Sequence, residues 1–263
     1  MELISSSKNE KIKNIASLLK SKKARDEQGC FVIEGTRLFK DTLKTAPEFI
    51  ESIYVSEGFQ DKSDISLPDT VTTYSVKDSV FEAISGTVTS QGIMAVVRKP
   101  EYSLSDILLG KTKHMSSKLN TRLLVLENIQ DPGNLGTMLR TAEAAGMTGI
   151  ILSGDCADIY SPKVVRSSMG SIFRMPFAYC ENFIESLNEI KKKGVTIYAA
   201  YLHGGVSYKD IVFNPNYAIL IGNEGNGLTD AAVNAADKRI FIPMAGKIES
   251  LNAAVAAAIL MYR

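Results

Sequence analysis

Short apolar runs alternate with segments of helical periodicity through the second half of the chain. Residues 123–126, 149–152, 196–201 and 217–221 are apolar almost throughout, and 240–243 forms a last short run. Runs of this length, bounded by turn residues, predict strands buried on both faces. Helical spacing occupies 134–145, 182–193, 228–236 and 250–263. Strands covered on both faces by helices predict an α/β fold with a mostly parallel sheet. The last helix has no polar face. Ala253, Ala254, Val255, Ala256, Ala257, Ala258, Ile259, Leu260 and Met261 follow one another. It is expected to be buried on most sides, within its own domain or against a second subunit.

The first hundred residues predict a smaller α/β unit, large enough for its own core. Strands are expected at 30–33, 52–56, 71–75 and 92–97, with helices at 35–45 and 80–84. Ahead of them, Ile12, Ile15, Leu18 and Leu19 recur at helical spacing, and 8–25 carries seven Lys/Arg (Lys8, Lys11, Lys13, Lys20, Lys22, Lys23, Arg25) against the single acid Glu10. This predicts an amphipathic helix with a basic outer face. Such a face is either a solvated surface or a contact for phosphate backbone. Residues 101–121 are rich in Ser, Lys and Gly. No acid occurs between Asp106 and Glu127, and Lys111, Lys113, His114, Lys118 and Arg122 lie in that gap. The expectation is a mobile basic linker, giving a domain at 1–100, a linker at 101–121 and a domain at 122–263.

Composition narrows the partners. The 263 residues carry 30 Lys+Arg and 29 Asp+Glu, a net charge of +1. A protein held to nucleic acid by bulk charge is far more basic, so any such binding must come from local patches or a shaped pocket. Cys30, Cys156 and Cys180 are widely spaced, and only two histidines are present. No metal-ligand spacing exists, which predicts free thiols, no metal and a reducing cytosol. The N-terminus lacks an apolar core of signal length, and 253–261 is too short to span a membrane. A cytoplasmic protein with no membrane partner is expected.

Three clusters carry candidate chemistry. In the first, 127–140, a strand ends, Pro132-Gly133 turns, and Asn134 opens a helix with Arg140 less than two turns on. Asn134 is either a helix cap or a site residue. Arg140 is either a surface residue or a holder of an anionic group such as phosphate, at the carboxyl edge where open α/β sheets bind ligands. The second, 221–228, holds Gly222, Gly225 and Gly227 around Asn223 and Glu224. Three glycines make either a tight turn or a loop that passes close to a ligand. The spacing is not the dinucleotide fingerprint, and no P-loop lysine follows. The third, 242–252, joins the last strand to the last helix through Ile242, Pro243, Met244, Ser250, Leu251 and Asn252. Ser250 is the expected N-cap, and Asn252 on an apolar helix needs a hydrogen-bond partner if buried.

At these positions the chain resembles the SpoU (TrmH-like) group of SPOUT RNA ribose 2′-O-methyltransferases. Asn134 and Arg140 match the family's first motif; Gly222, Asn223, Glu224 and Gly227 match its second; Ile242, Pro243, Met244, Ser250, Leu251 and Asn252 match its third. All three stand in order over 122–263. The first hundred residues, including 31–35 and Ser90-Gln91-Gly92-Ile93, resemble the L30e-like substrate-binding domain of the rRNA-directed members. The resemblance implies an α/β SPOUT domain with a deep trefoil knot, S-adenosylmethionine as cofactor, no metal, and a homodimer packed partly through the last helix. It implies cofactor contacts at Leu202, Gly222, Ile242 and Leu251, with Asn223, Glu224, Gly227 and Met244 close by. Arg140, Asn134, Glu224, Ser250 and Asn252 become the catalytic set. In it Arg140 holds phosphate and stabilises developing alkoxide, Asn134 and Ser250 position the ribose and Arg140, and Glu224 and Asn252 order the loops. An arginine stays protonated in proteins, so phosphate or water is expected to take the proton.

The separate first domain favours rRNA, particularly large-subunit RNA, over tRNA, because family tRNA members usually lack it. A non-catalytic RNA-binding protein is a rival of another class, opposed by the complete residue set. A small-molecule enzyme on a doubly wound sheet is a third, without its fingerprint glycines.

Overall fold

The computed structural model describes residues 1–59, 65–86, 89–112 and 120–263. The chain divides into two compact units, one of Met1–Pro100 with Asp158–Phe173, the other of Glu101–Ala157 with Arg174–Arg263.

The first unit contains β1 (Glu2–Ile4), α1 (Glu10–Lys20), α2 (Lys22–Gln28), β2 (Cys30–Glu34), α3 (Thr36–Thr45), β3 (Ile50–Ser56), β4 (Thr72–Val76), α4 (Asp78–Ile84) and β5 (Ile93–Arg98). Its five-stranded sheet runs β1-β4-β3-β5-β2. β1, β4 and β3 are parallel to one another, and β5 is antiparallel to both β3 and β2. Ile12, Ile15 and Leu18 from α1 bury against Val32, Tyr54, Met94 and Val96 of the sheet.

The basic segment 8–25 is not one helix. Ser21 ends α1 and its hydroxyl accepts from Ala24 N at 3.2 Å, capping α2. Arg25, expected on the outer face, is buried at 4% exposure. Its Nε and Nη2 donate to Asp158 Oδ2 at 2.9 and 2.6 Å, and Nη1 donates to Leu18 O. The ion pair compensates the desolvation that burial imposes on the guanidinium. Lys13 pairs with Glu10 and Lys23 with Glu27, which reduces the excess charge further.

The second unit opens with α5 (Leu104–Leu108), inside the stretch expected as linker. Ser103 and Asp106 form a capping box, and Ile107 is buried in the core, so this part is anchored. Lys113, His114 and Lys118 lie outside the described residues. Then come β6 (Arg122–Leu126), α6 (Pro132–Ala144), β7 (Gly149–Ser153), α7 (Pro162–Ser168, part of the first unit), β8 (Phe177–Cys180), α8 (Phe183–Lys192), β9 (Thr196–Ala200), β10 (Val206–Ser207), β11 (Tyr217–Ile221), α9 (Asp230–Ala235), β12 (Lys238–Phe241) and α10 (Ala253–Met261).

Its seven strands are all parallel, in the order β10-β12-β9-β11-β6-β7-β8. The apolar runs read from sequence are its central strands. Leu123, Val125, Ala218 and Leu220 share one core with Ile107 of α5, Leu187 and Ile190 of α8 and Ala232 of α9. Alternate residues point to the opposite face, where α10 packs on α6 and β11. The helices after β6 and β11 thus leave on opposite faces of two adjacent strands. This is a topological switch point, and a crevice opens outside the carboxyl ends of such strands. Among the described residues no helix is long and apolar enough to cross a membrane, and no group of His, Cys, Asp or Glu stands ready to hold a metal. The three cysteines are free and buried.

Candidate functional site

Two loops leave the switch point side by side, 127–131 after β6 and 222–229 after β11, and buried polar groups stitch them together. Glu127 N donates to Ile221 O at 2.9 Å, extending the strand pairing by one residue. The buried Glu127 carboxylate accepts from Thr229 N at 2.8 Å and Thr229 Oγ1 at 2.7 Å. Asn128 takes a left-handed conformation (φ 55°), which Asn tolerates, and its carbonyl accepts from Asn223 Nδ2 at 2.8 Å. Asn223 Oδ1 in turn accepts from Gly225 N and Asn226 N, both at 2.9 Å.

The second loop folds back on itself. Asn223 and Gly227 exchange both backbone hydrogen bonds at 3.0 Å. Gly222 is obligatory beneath this bridge, because a Cβ there would lie 2.3 Å from Gly227 C. Gly227 supplies the positive φ of 70° that closes the turn.

Asp131, not Asn134, caps α6. Its side chain accepts from Asn134 N at 2.8 Å, with Pro132 in the first helical turn. Asn134 therefore sits inside the first turn with its amide free to reach outward. Asn134 Nδ2 donates to Glu224 Oε1 at 2.9 Å. The Glu224 carboxylate also accepts from Gln130 N and Asp131 N, both at 3.1 Å. Burial pushes the Glu224 carboxyl up, but hydrogen bonds from Asn134 and from backbone N–H groups outweigh it and hold its pKa below the ordinary value.

The third cluster joins the same network from α10. Asn252, not Ser250, is the N-cap, with Oδ1 accepting from Ala254 N at 2.9 Å and Val255 N at 3.3 Å. Its Nδ2 donates to Asn134 Oδ1 at 3.0 Å. Glu224, Asn134 and Asn252, one from each cluster, thus form a continuous chain of hydrogen bonds.

Beside it lies a cleft of about 550 Å³, well inside the size range of small-ligand sites. Leu202, Gly222, Asn223, Gly227 and Leu251 line it, together with Glu224 and Ser250. A smaller cavity of about 120 Å³ shares Leu202, Ser250 and Leu251 and adds Ile242 and Met244. All eight residues expected around the cofactor therefore face two adjoining cavities. Backbone polar groups of the glycine loop and the leucine side chains that line the cleft suit a nucleoside, with polar groups for the edge of its base and apolar surface for the face. Tyr201 and Leu228, which sequence reasoning missed, complete the walls.

Arg140 stands apart. It is exposed, does not line either cavity, and makes no hydrogen bond or ion pair with the described residues. Six helical residues place it about 9 Å along α6 from Asn134 and roughly a third of a turn around. Sequence reasoning also missed Glu127, Gln130, Asp131 and Thr229. An Asp directly before Pro132 is a readable helix-start signal; the loop-to-loop bonds have no local signature.

Comparison with known proteins agrees with this geometry. Residues 121–262 match the SpoU rRNA Methylase family, and residues 9–95 match the MRM3-like substrate binding domain. The chain is 36% identical over 262 residues to 23S rRNA (guanosine(2553)-2′-O)-methyltransferase RlmP of Bacillus subtilis, covering 100% of this chain and 98% of that one. The AdoMet-bound rRNA methyltransferase from Sinorhizobium meliloti superposes with a TM-score of 0.82 at 29% identity, over 99% of this chain and 96% of that one. The SpoU methyltransferase AviRb from Streptomyces viridochromogenes, in complex with AdoMet, gives 0.81 at 26% identity, over 97% and 96%. S-adenosylmethionine is the methyl donor, and RNA 2′-O-methylation is the chemistry of the group. With both units matched and the three motif clusters joined by hydrogen bonds, the chain belongs to the SpoU rRNA methylase family.

Proposed function

We propose that this protein methylates a ribose 2′-hydroxyl of 23S ribosomal RNA. The observation that carries the reading is the Glu224–Asn134–Asn252 chain beside a cleft lined by Gly222 and Leu251. The relative of matching length acts on 23S rRNA, and the first unit matches a substrate-binding domain. Methylation of tRNA is the second outcome that the test distinguishes.

Leu202, Gly222, Ile242 and Leu251 hold the cofactor in this reading, with Asn223, Gly227 and Met244 ordering the walls. Bound S-adenosylmethionine supplies an electrophilic methyl group on a sulfonium centre. Arg140, exposed and uncommitted, grips the substrate phosphate and stabilises charge developing on the 2′-oxygen. The proton leaves to phosphate or water, because a guanidinium cannot accept it. Ser250, at the rim of both cavities, positions the ribose. The reacting group itself selects RNA over DNA.

The C-terminal segment threads a deep trefoil knot in this reading. It is supported by the path of the chain, which leaves β12 near one sheet edge and returns to pack α10 on α6 and β11. The enzyme works as a cytoplasmic homodimer through its C-terminal unit. Val255 on α10 and Tyr262, which caps the end of that helix, are exposed and offer an apolar seat for a second copy.

Mapping ribose methylation across rRNA and tRNA from cells with and without the gene tests the proposal. Loss of one 2′-O-methyl in 23S rRNA is expected, and the guanosine methylated by RlmP is the first position to inspect. Loss confined to tRNA, or no change in either RNA, contradicts it.

A further inference from the structure

The first unit contains a cavity that methyl transfer does not use. It measures about 320 Å³ and opens at the sheet edge where β3 and β4 end and β5 begins. Ser56, Phe59, Asp78, Phe81 and Gln91 line it. Gly92, within the Ser90-Gln91-Gly92-Ile93 segment, keeps it open. Its φ is 72°, and a Cβ there would stand 2.7 Å from Ser56 Oγ and 3.2 Å from the Phe59 ring.

Two fixed polar side chains face the space. Gln91 Oε1 accepts from Thr36 N at 2.7 Å and Thr36 Oγ1 at 3.0 Å, which locks the amide and leaves the Nε2 hydrogens available. Asp78 Oδ1 accepts from Gly58 N at 2.9 Å, which orients a carboxylate with lone pairs to spare. Phe81 forms a buried floor, with Phe59 beside it. Asp78 and Glu82 at the rim repel phosphate, so the occupant presents an uncharged edge.

We propose that this cavity receives one unstacked nucleobase of the RNA, and that guanine is the base it selects. Guanine alone offers two adjacent donors, N1–H and N2–H₂, to the Asp78 carboxylate, with O6 next to them to accept from Gln91 Nε2. Splayed bases held on aromatic side chains by hydrogen bonds to their edges are the usual mode of single-strand RNA reading. The proposal rests on the RNA reading above and adds a specificity site in the first unit, separate from the cofactor cleft.

The test is a fluorescence-anisotropy titration of the full chain with four labelled uridine-tract oligoribonucleotides carrying a central G, A, C or U. The G-containing probe should bind about tenfold more tightly than the others, the scale of hydrogen bonds to a charged group. Asp78→Asn keeps the shape and the Gly58 bond but loses the charge. Ser56→Leu fills the cavity without touching that bond. Both should remove the preference while binding S-adenosylmethionine as the parent does. Equal binding of all four probes by the parent, or a preference retained in either folded variant, overturns the proposal. Failure of the methyltransferase reading shows separately, as absence of cofactor binding or of transfer to any RNA.

Discussion

Asn252 Nδ2 donates to Asn134 Oδ1 at 3.0 Å, joining the cap of the last helix to the first turn of α6 across 118 residues of sequence. The orientation of both amides follows from chemistry. Glu224 as a carboxylate only accepts, so Asn134 must turn Nδ2 toward it and Oδ1 toward Asn252. Asn252 must then donate with Nδ2, which leaves its Oδ1 for the N–H groups of Ala254 and Val255. One arrangement satisfies all three side chains.

This relationship separates two roles of Asn252. Asn252→Ala loses the cap and should cost about 1 kcal/mol of stability. Asn252→Asp keeps an oxygen for the cap but sets an acceptor against Asn134 Oδ1. It should fold with near-parental stability in urea denaturation and still lose roughly tenfold or more in methyl transfer. Full transfer by the Asp variant would show that the cap is all Asn252 provides.

The Glu224 carboxyl titrates below its ordinary value of 4.5 because its hydrogen bonds outweigh the effect of burial. A depressed folded-state pKa adds stability that is complete above the unfolded value and is lost as pH falls through the folded one. The parent should therefore lose thermal stability below about pH 4.5 more steeply than Glu224→Gln. The Gln variant should be less stable at neutral pH, since Gln130 N donates to one carboxylate oxygen and Asp131 N with Asn134 Nδ2 to the other, so the new NH₂ must face a donor on whichever side it takes. Parallel acid limbs for the two proteins would refute the linkage.

The glycine loop distinguishes obligatory from permissive positions. At Gly222 a Cβ meets Gly227 C at 2.3 Å, Gly227 O at 2.4 Å and Leu228 N at 2.4 Å, all backbone atoms that cannot swing away. Gly222→Ala should cost about 1–3 kcal/mol or open the loop, and cofactor binding should weaken with it. At Gly225 the nearest atom is Asn223 Oδ1 at 3.6 Å, an ordinary contact. Gly225→Ala should change stability by about 0.5 kcal/mol or less. Calorimetric titration of S-adenosylmethionine and thermal melts of both variants decide the matter.

The sequence made legible what depends on local pattern. β6, β7, β9 and β11 are apolar on both faces because helices cover both, so their runs stand out. Two-residue and three-residue edge strands such as β10 and β1 carry no such run. β8, with exposed Tyr179 in its middle, was also hidden. Cap positions are ambiguous in sequence where two capping residues stand close together. Asp131 precedes Asn134 by three residues, and Ser250 precedes Asn252 by two, and only the turn of the backbone decides between them. Arg25 looked like part of a basic surface because its partner Asp158 lies 133 residues away. The residues of the candidate site are legible through their motifs. The bonds among Glu224, Asn134 and Asn252 were not legible, since separations of 90 and 118 residues leave no periodic trace.

The central claim is that binding of the donor and activation of the sugar are divided between the glycine-lined cleft and one exposed guanidinium. The direct measurement is S-adenosylmethionine affinity by calorimetry alongside transfer of labelled methyl to 23S rRNA, for the parent and Arg140→Ala. Arg140 has no intramolecular partner among the described residues, so the variant should melt with the parent. It should bind the donor with unchanged affinity and transfer no methyl group. Donor affinity falling in step with transfer, or transfer persisting at the parental rate, would contradict the account.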